Sequence, residues 1–331
     1  MSDFLALNTK IDGIFSKLFF DEDYERLEEA STFREVIDYL NNHIFFEKNK
    51  LTYDISYSEA KLGESLFITL NKLKNFTIGP YREFITEYLR QEEINSIKKA
   101  LRFLKRESEE EDYIFKYQDK SFSLKGMTIK GFVEKLKNTI YYRPLATYED
   151  EPSDDILFYM EMNLDKLFFN RIIETVKKFS KEDQREFINI FGRQIDILNI
   201  LWIYRGTVNY RLLPEELLNF VIFGGKFLSF NLLKEMCYLD NRSFLEVLEK
   251  TPYRYLFTEE GAVENFSAHG NRLVYNFARS EFRKTFDSFG HLLSFIIILE
   301  NQIKDLKIFM ESHRLNLGIE KTSKYLVKLR K

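Results

Sequence analysis

The side chains able to do chemistry in this chain are few, and their spacing decides what they could do. His43, His269, His291 and His313 never stand two to five residues apart, and the single Cys237 has no partner thiol. Ligands for a metal must converge from such short spacings, so neither a metal site nor a metal cofactor is expected. Cys237 stands at helical spacing from Leu233, which reads as a small core residue rather than a nucleophile. Gly224-Gly225-Lys226-Phe227 lacks the glycine and lysine offsets of a phosphate-cradling loop. The double glycine reads instead as a helix end, where glycine takes the left-handed conformation without steric cost. Glu92 and Glu93 are adjacent, so on a helix they diverge and form no carboxylate dyad. No Gly-x-Ser-x-Gly elbow is present. No catalytic, cofactor-binding or metal-ligating residue is predicted, and no small-molecule substrate.

What does recur is a module. FREVIDYLNN from Phe33, FVEKLKNTIY from Phe132 and FLEVLEKTPY from Phe244 align without gaps, each reading Phe-x-Glu with an Ile or Leu four residues after the Phe. The glutamates are Glu35, Glu134 and Glu246. Thr32-x-x-Glu35 and Ser243-x-x-Glu246 have the form of capping boxes, and Gly131 with Glu134 is a weaker version. These glutamates therefore read as helix starts.

A second motif follows each of these. Glu93-Ile94-Asn95-Ser96-Ile97, Asp196-Ile197-Leu198-Asn199-Ile200 and Gln302-Ile303-Lys304-Asp305-Leu306 place an acid or amide first, Ile second, a small polar residue fourth and an aliphatic fifth. From Phe33 to Glu93, Phe132 to Asp196 and Phe244 to Gln302 the intervals are 60, 64 and 58 residues. Polar groups three residues apart share one face of a helix, so each copy shows a polar stripe beside an apolar one. Copies one and two carry Arg90-Gln91 and Arg193-Gln194 upstream and Arg102 and Arg205 nine residues on, whereas the third has Glu300 and Glu311 at the Gln and Arg positions.

The elements that must position these residues read as helices. The 331 residues include only 13 Gly and 5 Pro, a composition with few turns and long helices. Ile156 to Phe179 has the three-and-four apolar spacing of an amphipathic helix opened by Pro152-Ser153-Asp154-Asp155. Ser180 to Tyr204 restarts at a Ser180-x-x-Asp183 cap, and Pro214-Glu215-Glu216 reads as a first turn. Tyr113 to Ser123 fits no helix, and the acidic runs Glu107 to Asp112 and Glu149 to Asp155 read as solvated linkers. The 33 Phe and 19 Tyr are ample for cores. With 49 basic against 52 acidic residues the net charge is −3, which leaves no basic excess for nucleic acid. The lone cysteine and an opening without a signal-peptide pattern suit the cytoplasm. The longest stretch without a charge, Ser288 to Leu299, is shorter than the roughly 18 residues of a spanning helix.

In their order these motifs resemble the C subunit of the bacterial and archaeal V/A-type rotary ATPases, the family that includes the d subunit of the vacuolar ATPase. The resemblance is carried by ALNTKIDGIFSKLFFDEDYERL from Ala6, QIDILNILWIYR from Gln194, FGGKFLSFNLL from Phe223, FLEVLEKTPY from Phe244 and FIIILENQIKDLKIF from Phe295. It runs from about residue 6 to 326. Its most specific part is Asp196-x-x-Asn199, then Arg205 and Gly224-Gly225. The third copy departs with Gln302, where a glutamate is common in the family.

The resemblance implies an all-α fold of three similar helical modules, residues 1–114, 115–212 and 213–331, in a pseudo-threefold funnel. It further implies a non-catalytic central-stalk component at the cytoplasmic face of the membrane. Such a component rests on the proteolipid rotor ring, receives the axle formed by the D and F subunits, and passes torque between them without spanning the bilayer. The motif positions Glu35, Glu134, Glu246, Glu93, Asp196, Asn199, Arg205, Gln302, Gly224 and Gly225 are then structural or interface residues. The alternative is a helical-repeat adaptor for other proteins, whose period would be about 34 to 47 residues. Here Phe33, Phe132 and Phe244 are 99 and 112 residues apart.

Overall fold

A computed structural model describes residues 4–46, 50–106, 113–117, 120–148, 156–257 and 265–328. Both acidic runs and the Pro152-Ser153-Asp154-Asp155 helix start lie outside the described residues. The described chain is mostly helical. Its helices are α1 (Leu5–Phe15), α2 (Asp21–Glu29), α3 (Phe33–Asn42), α4 (Ile55–Lys74) and α5 (Gly79–Lys105), then α6 (Ile129–Lys135), α7 (Tyr142–Ala146) and α8 (Ile156–Val176). There follow α9 (Lys181–Ile190), α10 (Gly192–Val208), α11 (Pro214–Phe220), α12 (Phe230–Cys237), α13 (Asn241–Glu249), α14 (Phe266–Phe282), α15 (Phe289–Arg314) and α16 (Ile319–Ser323).

The stretch that fits no helix forms a hairpin. Strands β1 (Ile114–Tyr117) and β2 (Lys120–Ser123) pair antiparallel with Phe115 opposite Phe122. Both rings lean on Phe132 of α6, at centroid distances of 5.0 and 6.3 Å, so the strands cover the start of the second Phe-x-Glu helix.

The Phe-x-Glu segments are helices, but two begin earlier than their glutamates suggest. The Thr32 hydroxyl accepts from Glu35 N at 3.2 Å and caps α3 as expected, while the Glu35 carboxylate accepts from Ser31 N. In the second copy the cap is Thr128, whose hydroxyl accepts from Gly131 N at 3.0 Å. In the third it is Asp240, accepting from Ser243 N at 2.8 Å. Gly131 and Ser243 are thus in the first turn and are not caps. The upstream Thr and Asp offer a side-chain oxygen at the same three-residue reach, and each adds most of a turn to its helix.

Ser180 caps its helix through Asp183 N as expected. The segment to Tyr204 is nevertheless two helices, broken at Phe191, and beside the break the Gly192 carbonyl accepts from the distant Lys226 N. A Cβ on Gly192 would lie 2.9 Å from that nitrogen, so a bare Cα at the α9–α10 junction lets the loop come in.

A short Phe-x-Glu helix (α3, α6 or α13) is followed by a long helix (α4, α8 or α14) and then the helix with the second motif (α5, α10 or α15), with α7 and α9 intervening in the second copy. Helices α5, α10 and α15 each pack on the two preceding members of another copy: α5 on α6 and α8, α10 on α13 and α14, α15 on α3 and α4. The chain therefore closes on itself, carboxy-terminal helix against amino-terminal helices.

The second-motif helices also meet in one aromatic cluster. Phe84 of α5 lies 6.2 Å from Phe191, which directly precedes α10, and 5.3 Å from Phe289 at the start of α15, with Phe179 and Phe187 around them. Edge-to-face packing of such large apolar rings gives that junction its burial and its fixed geometry.

Candidate functional site

Asp196 is fully enclosed, with no exposed surface. Its Oδ2 accepts from Lys226 N at 3.0 Å, Phe227 N at 2.8 Å and the Tyr253 hydroxyl at 2.7 Å, and Oδ1 accepts from Leu228 N at 3.3 Å. Burial raises its pKa above the usual carboxylate range, against the pull of these donors. One turn on, Asn199 grips a single residue by both of its peptide groups: Ile222 N donates to Oδ1 at 2.9 Å, and Nδ2 donates to Ile222 O at 2.8 Å. Together they pin the loop from 221 to 229 onto α10.

That grip accounts for the double glycine. A Cβ on Gly225 would stand 2.0 Å from Asp196 Oδ1, and Gly224 has φ +92°. The left-handed glycine is as expected, but the pair does not end a helix: α11 stops at Phe220, and the glycines lie further on, where the Asp196 carboxylate occupies the space of a side chain.

The third copy makes the same two grips with the positions exchanged. Gln302, at the place of Asp196, holds Phe19 by both peptide groups, accepting from its N at 3.2 Å and donating to its O at 2.7 Å. Asp305, at the place of Asn199, is the buried carboxylate: it accepts from Val327 N at 2.6 Å, Lys328 N at 2.9 Å and the Tyr24 hydroxyl at 2.9 Å. Burial pushes its pKa up to about 6.

In the first copy Glu93 is half-buried and accepts from the Tyr141 hydroxyl. Nearby, Glu87 takes Arg171 of α8 in a two-point pair at 2.5 and 2.8 Å. Three tyrosines thus serve the three copies: Tyr141, Tyr253 and Tyr24. The first two stand nine residues after Phe132 and Phe244, as the last residue of each Phe-x-Glu segment, so the signal for them was present in the repeat.

The glutamates of the first motif lie at the surface. Glu35 accepts from Ser31 N, Glu134 from the Tyr142 hydroxyl at 3.0 Å, and Glu246 pairs with Arg242 at 3.2 Å. Arg205 is exposed near the end of α10, and its carbonyl accepts from Asn209 N and Tyr210 N. Its counterpart Arg102 makes a two-point pair with Glu161 of α8, so the aligned arginines do different work.

The positions just upstream of the second motif come together. Gln91 of α5, Gln194 of α10 and Glu300 of α15 line one cavity of about 280 Å³, beside Tyr88, Asp165 and Lys304. A cleft of about 140 Å³ against α4 shares Gln91, Glu300 and Lys304 and adds Lys307. Burial raises the pKa of Glu300 and lowers that of Lys307. The cavity wall mixes amides, charges and apolar side chains such as Ile197, Leu198 and Leu201.

Cys237 is buried, with its pKa pushed to about 12, so it is not poised as a nucleophile. His291 is enclosed between Phe282 O and Asp12, each at 3.0 Å. Among the described residues no group of three or more His, Cys, Asp or Glu could hold a metal ion. Nor is any helix there long and apolar enough to cross a membrane.

Compared with known proteins, residues 7–325 match the model of the ATP synthase (C/AC39) subunit family. The C subunit of the A-type ATP synthase of Methanococcoides burtonii is 26% identical over 96% of this chain and 92% of its own length. That of Methanosarcina mazei is 26% identical over 76% of this chain and 71% of its own, and that of Methanosphaera stadtmanae is 22% identical over 93% and 83%.

Proposed function

The chain belongs to the ATP synthase (C/AC39) subunit family, and on that premise we propose that it is the non-catalytic coupling piece of a V/A-type rotor. In this reading it sits at the cytoplasmic face of the membrane, seated on the proteolipid ring, and takes the end of the D–F axle. The observation that carries the proposal is the placing of Gln91, Gln194 and Glu300. Three aligned positions of three repeats face one cavity, and the cyclic packing of α5, α10 and α15 on the next copy's helices supports a pseudo-threefold funnel around it. The modules span 1–114, 115–212 and 213–331. The ten motif residues act in this reading as stiffeners and interface supports. Asp196, Asn199 and Gln302 tie loops to the inner helices, and Gly224 and Gly225 allow that tie. Glu93 braces Tyr141, Glu35, Glu134 and Glu246 face outward at the short helices, and Arg205 is exposed toward a partner.

Torque transfer needs a stiff body with two interfaces, and buried carboxylates that each hold several backbone donors supply stiffness. Co-expression with the D and F subunits and the ring proteolipid tests the assignment. The chain should co-purify with both the axle pair and the ring and hydrolyse no ATP alone. Failure to bind the axle pair, with the chain folded, would overturn it.

A further inference from the structure

Helices α1 and α4, with the turn at Ile44 and Phe45, enclose a cleft of about 420 Å³ away from the cavity between α5, α10 and α15. Lys10 of α1 and Lys17, in the turn just past the end of that helix, both line the cleft, and Lys72 reaches in from α4. Among the described residues no aspartate or glutamate lines the cleft, and none there is ion-paired with Lys10, Lys17 or Lys72. Elsewhere on this surface lysines commonly sit against carboxylates, as Lys61 does with Glu64, Lys177 with Glu174 and Lys178 with Glu83. Gly13, between Lys10 and Lys17 in the chain, leaves the floor open: a Cβ there would meet nothing within 4 Å. Ile44, 54% exposed, and Phe45 form an apolar wall beside the charges.

Three uncompensated positive charges around one concavity match an anion that carries more than one negative charge on a single centre. A phosphate ester has about −1.5 to −2 at neutral pH, where a carboxylate has only −1. Lysine binds phosphate as a mobile point charge and needs no fixed fork. The apolar wall fits a ligand with an organic body next to its phosphate. We propose that this cleft binds a phosphate-bearing ligand, with the phosphate among Lys10, Lys17 and Lys72 and the apolar part against Ile44 and Phe45. None of these residues lines the cavity between α5, α10 and α15, so the proposal stands independently of the rotor reading.

Co-sedimentation with vesicles of phosphatidylcholine and phosphatidic acid, whose headgroup is a phosphate monoester, and calorimetry with pyrophosphate, test it on the full chain. The triple variant Lys10→Gln, Lys17→Gln, Lys72→Gln should weaken vesicle binding roughly a hundredfold, at about 1 kcal/mol for each lysine near an anionic surface. Gly13→Leu should do so by filling the cleft, with melting unchanged. A control triple, Lys181→Gln, Lys234→Gln, Lys250→Gln, removes the same charge elsewhere and should retain binding. Vesicle binding displaced by pyrophosphate assigns the ligand to a lipid headgroup, and pyrophosphate binding without vesicle binding, lost in the cleft variants, assigns it to a soluble phosphate ester. The proposal is overturned if the wild type binds neither probe, if the control triple loses as much as the cleft triple, or if Gly13→Leu binds as the wild type does.

Discussion

Asp196 and Asp305 show how one buried carboxylate can organise a loop. Removing the Asp196 side chain would leave three backbone N–H groups and the Tyr253 hydroxyl without their acceptor. Asp196→Ala is expected to lower stability by about 3–5 kcal/mol, checked by denaturant unfolding. Gly225→Ala should fall in the same range as other strained core substitutions, about 1–3 kcal/mol, because its Cβ and Asp196 Oδ1 cannot share the 2.0 Å between them. Asp305 adds a pH dependence of defined sign. Its pKa is raised from 3.8 to about 6 in the fold, so between these values the folded chain holds a proton that the unfolded chain releases. Its contribution therefore falls as pH rises through that window. The stability of the wild type relative to Asp305→Asn should decline from pH 4 to pH 7 in parallel melts, and a flat difference would contradict the assignment. The aligned spacing made these positions visible in the sequence, but the exchange of roles between Asp196/Asn199 and Gln302/Asp305 was not. Gln302 reads as a lost carboxylate until the structure shows that the carboxylate stands one turn later.

At the scale of elements, periodicity and capping chemistry located the helices well and their starts less well. Ser180 and Thr32 cap as expected because no competing oxygen precedes them at the right reach. Thr128 and Asp240, three residues before Gly131 and Ser243, win those helix starts. Thr128→Ala should therefore cost about 1 kcal/mol of stability, while Ser243→Ala should leave the Asp240 cap of α13 in place and change melting little. Equal losses in both would contradict these caps. The break at Phe191 could not be read from local pattern, and the loop that packs beside it, through Lys226 N on the Gly192 carbonyl, comes from far along the chain. The hairpin at Ile114–Ser123 was equally hidden: two four-residue strands give little alternation, and they persist because Phe115 and Phe122 pack on Phe132.

At the scale of the whole molecule, the predominance of helix was legible in the scarcity of glycine and proline. The closure of α15 onto α3 and α4 is a tertiary fact that no linear pattern carries. Loss of the ring at the aromatic junction, Phe84→Ala, should cost about 3–5 kcal/mol and loosen α5, α10 and α15 together. The claim that their shared cavity receives the axle is tested most directly from inside it. Because the native Cys237 is buried, a cysteine introduced as Gln194→Cys can carry a photo-cross-linker selectively. Illumination of the complex with the D–F pair and the ring should join residue 194 to the axle. Cross-links to the ring alone, or none with the complex intact, would contradict it.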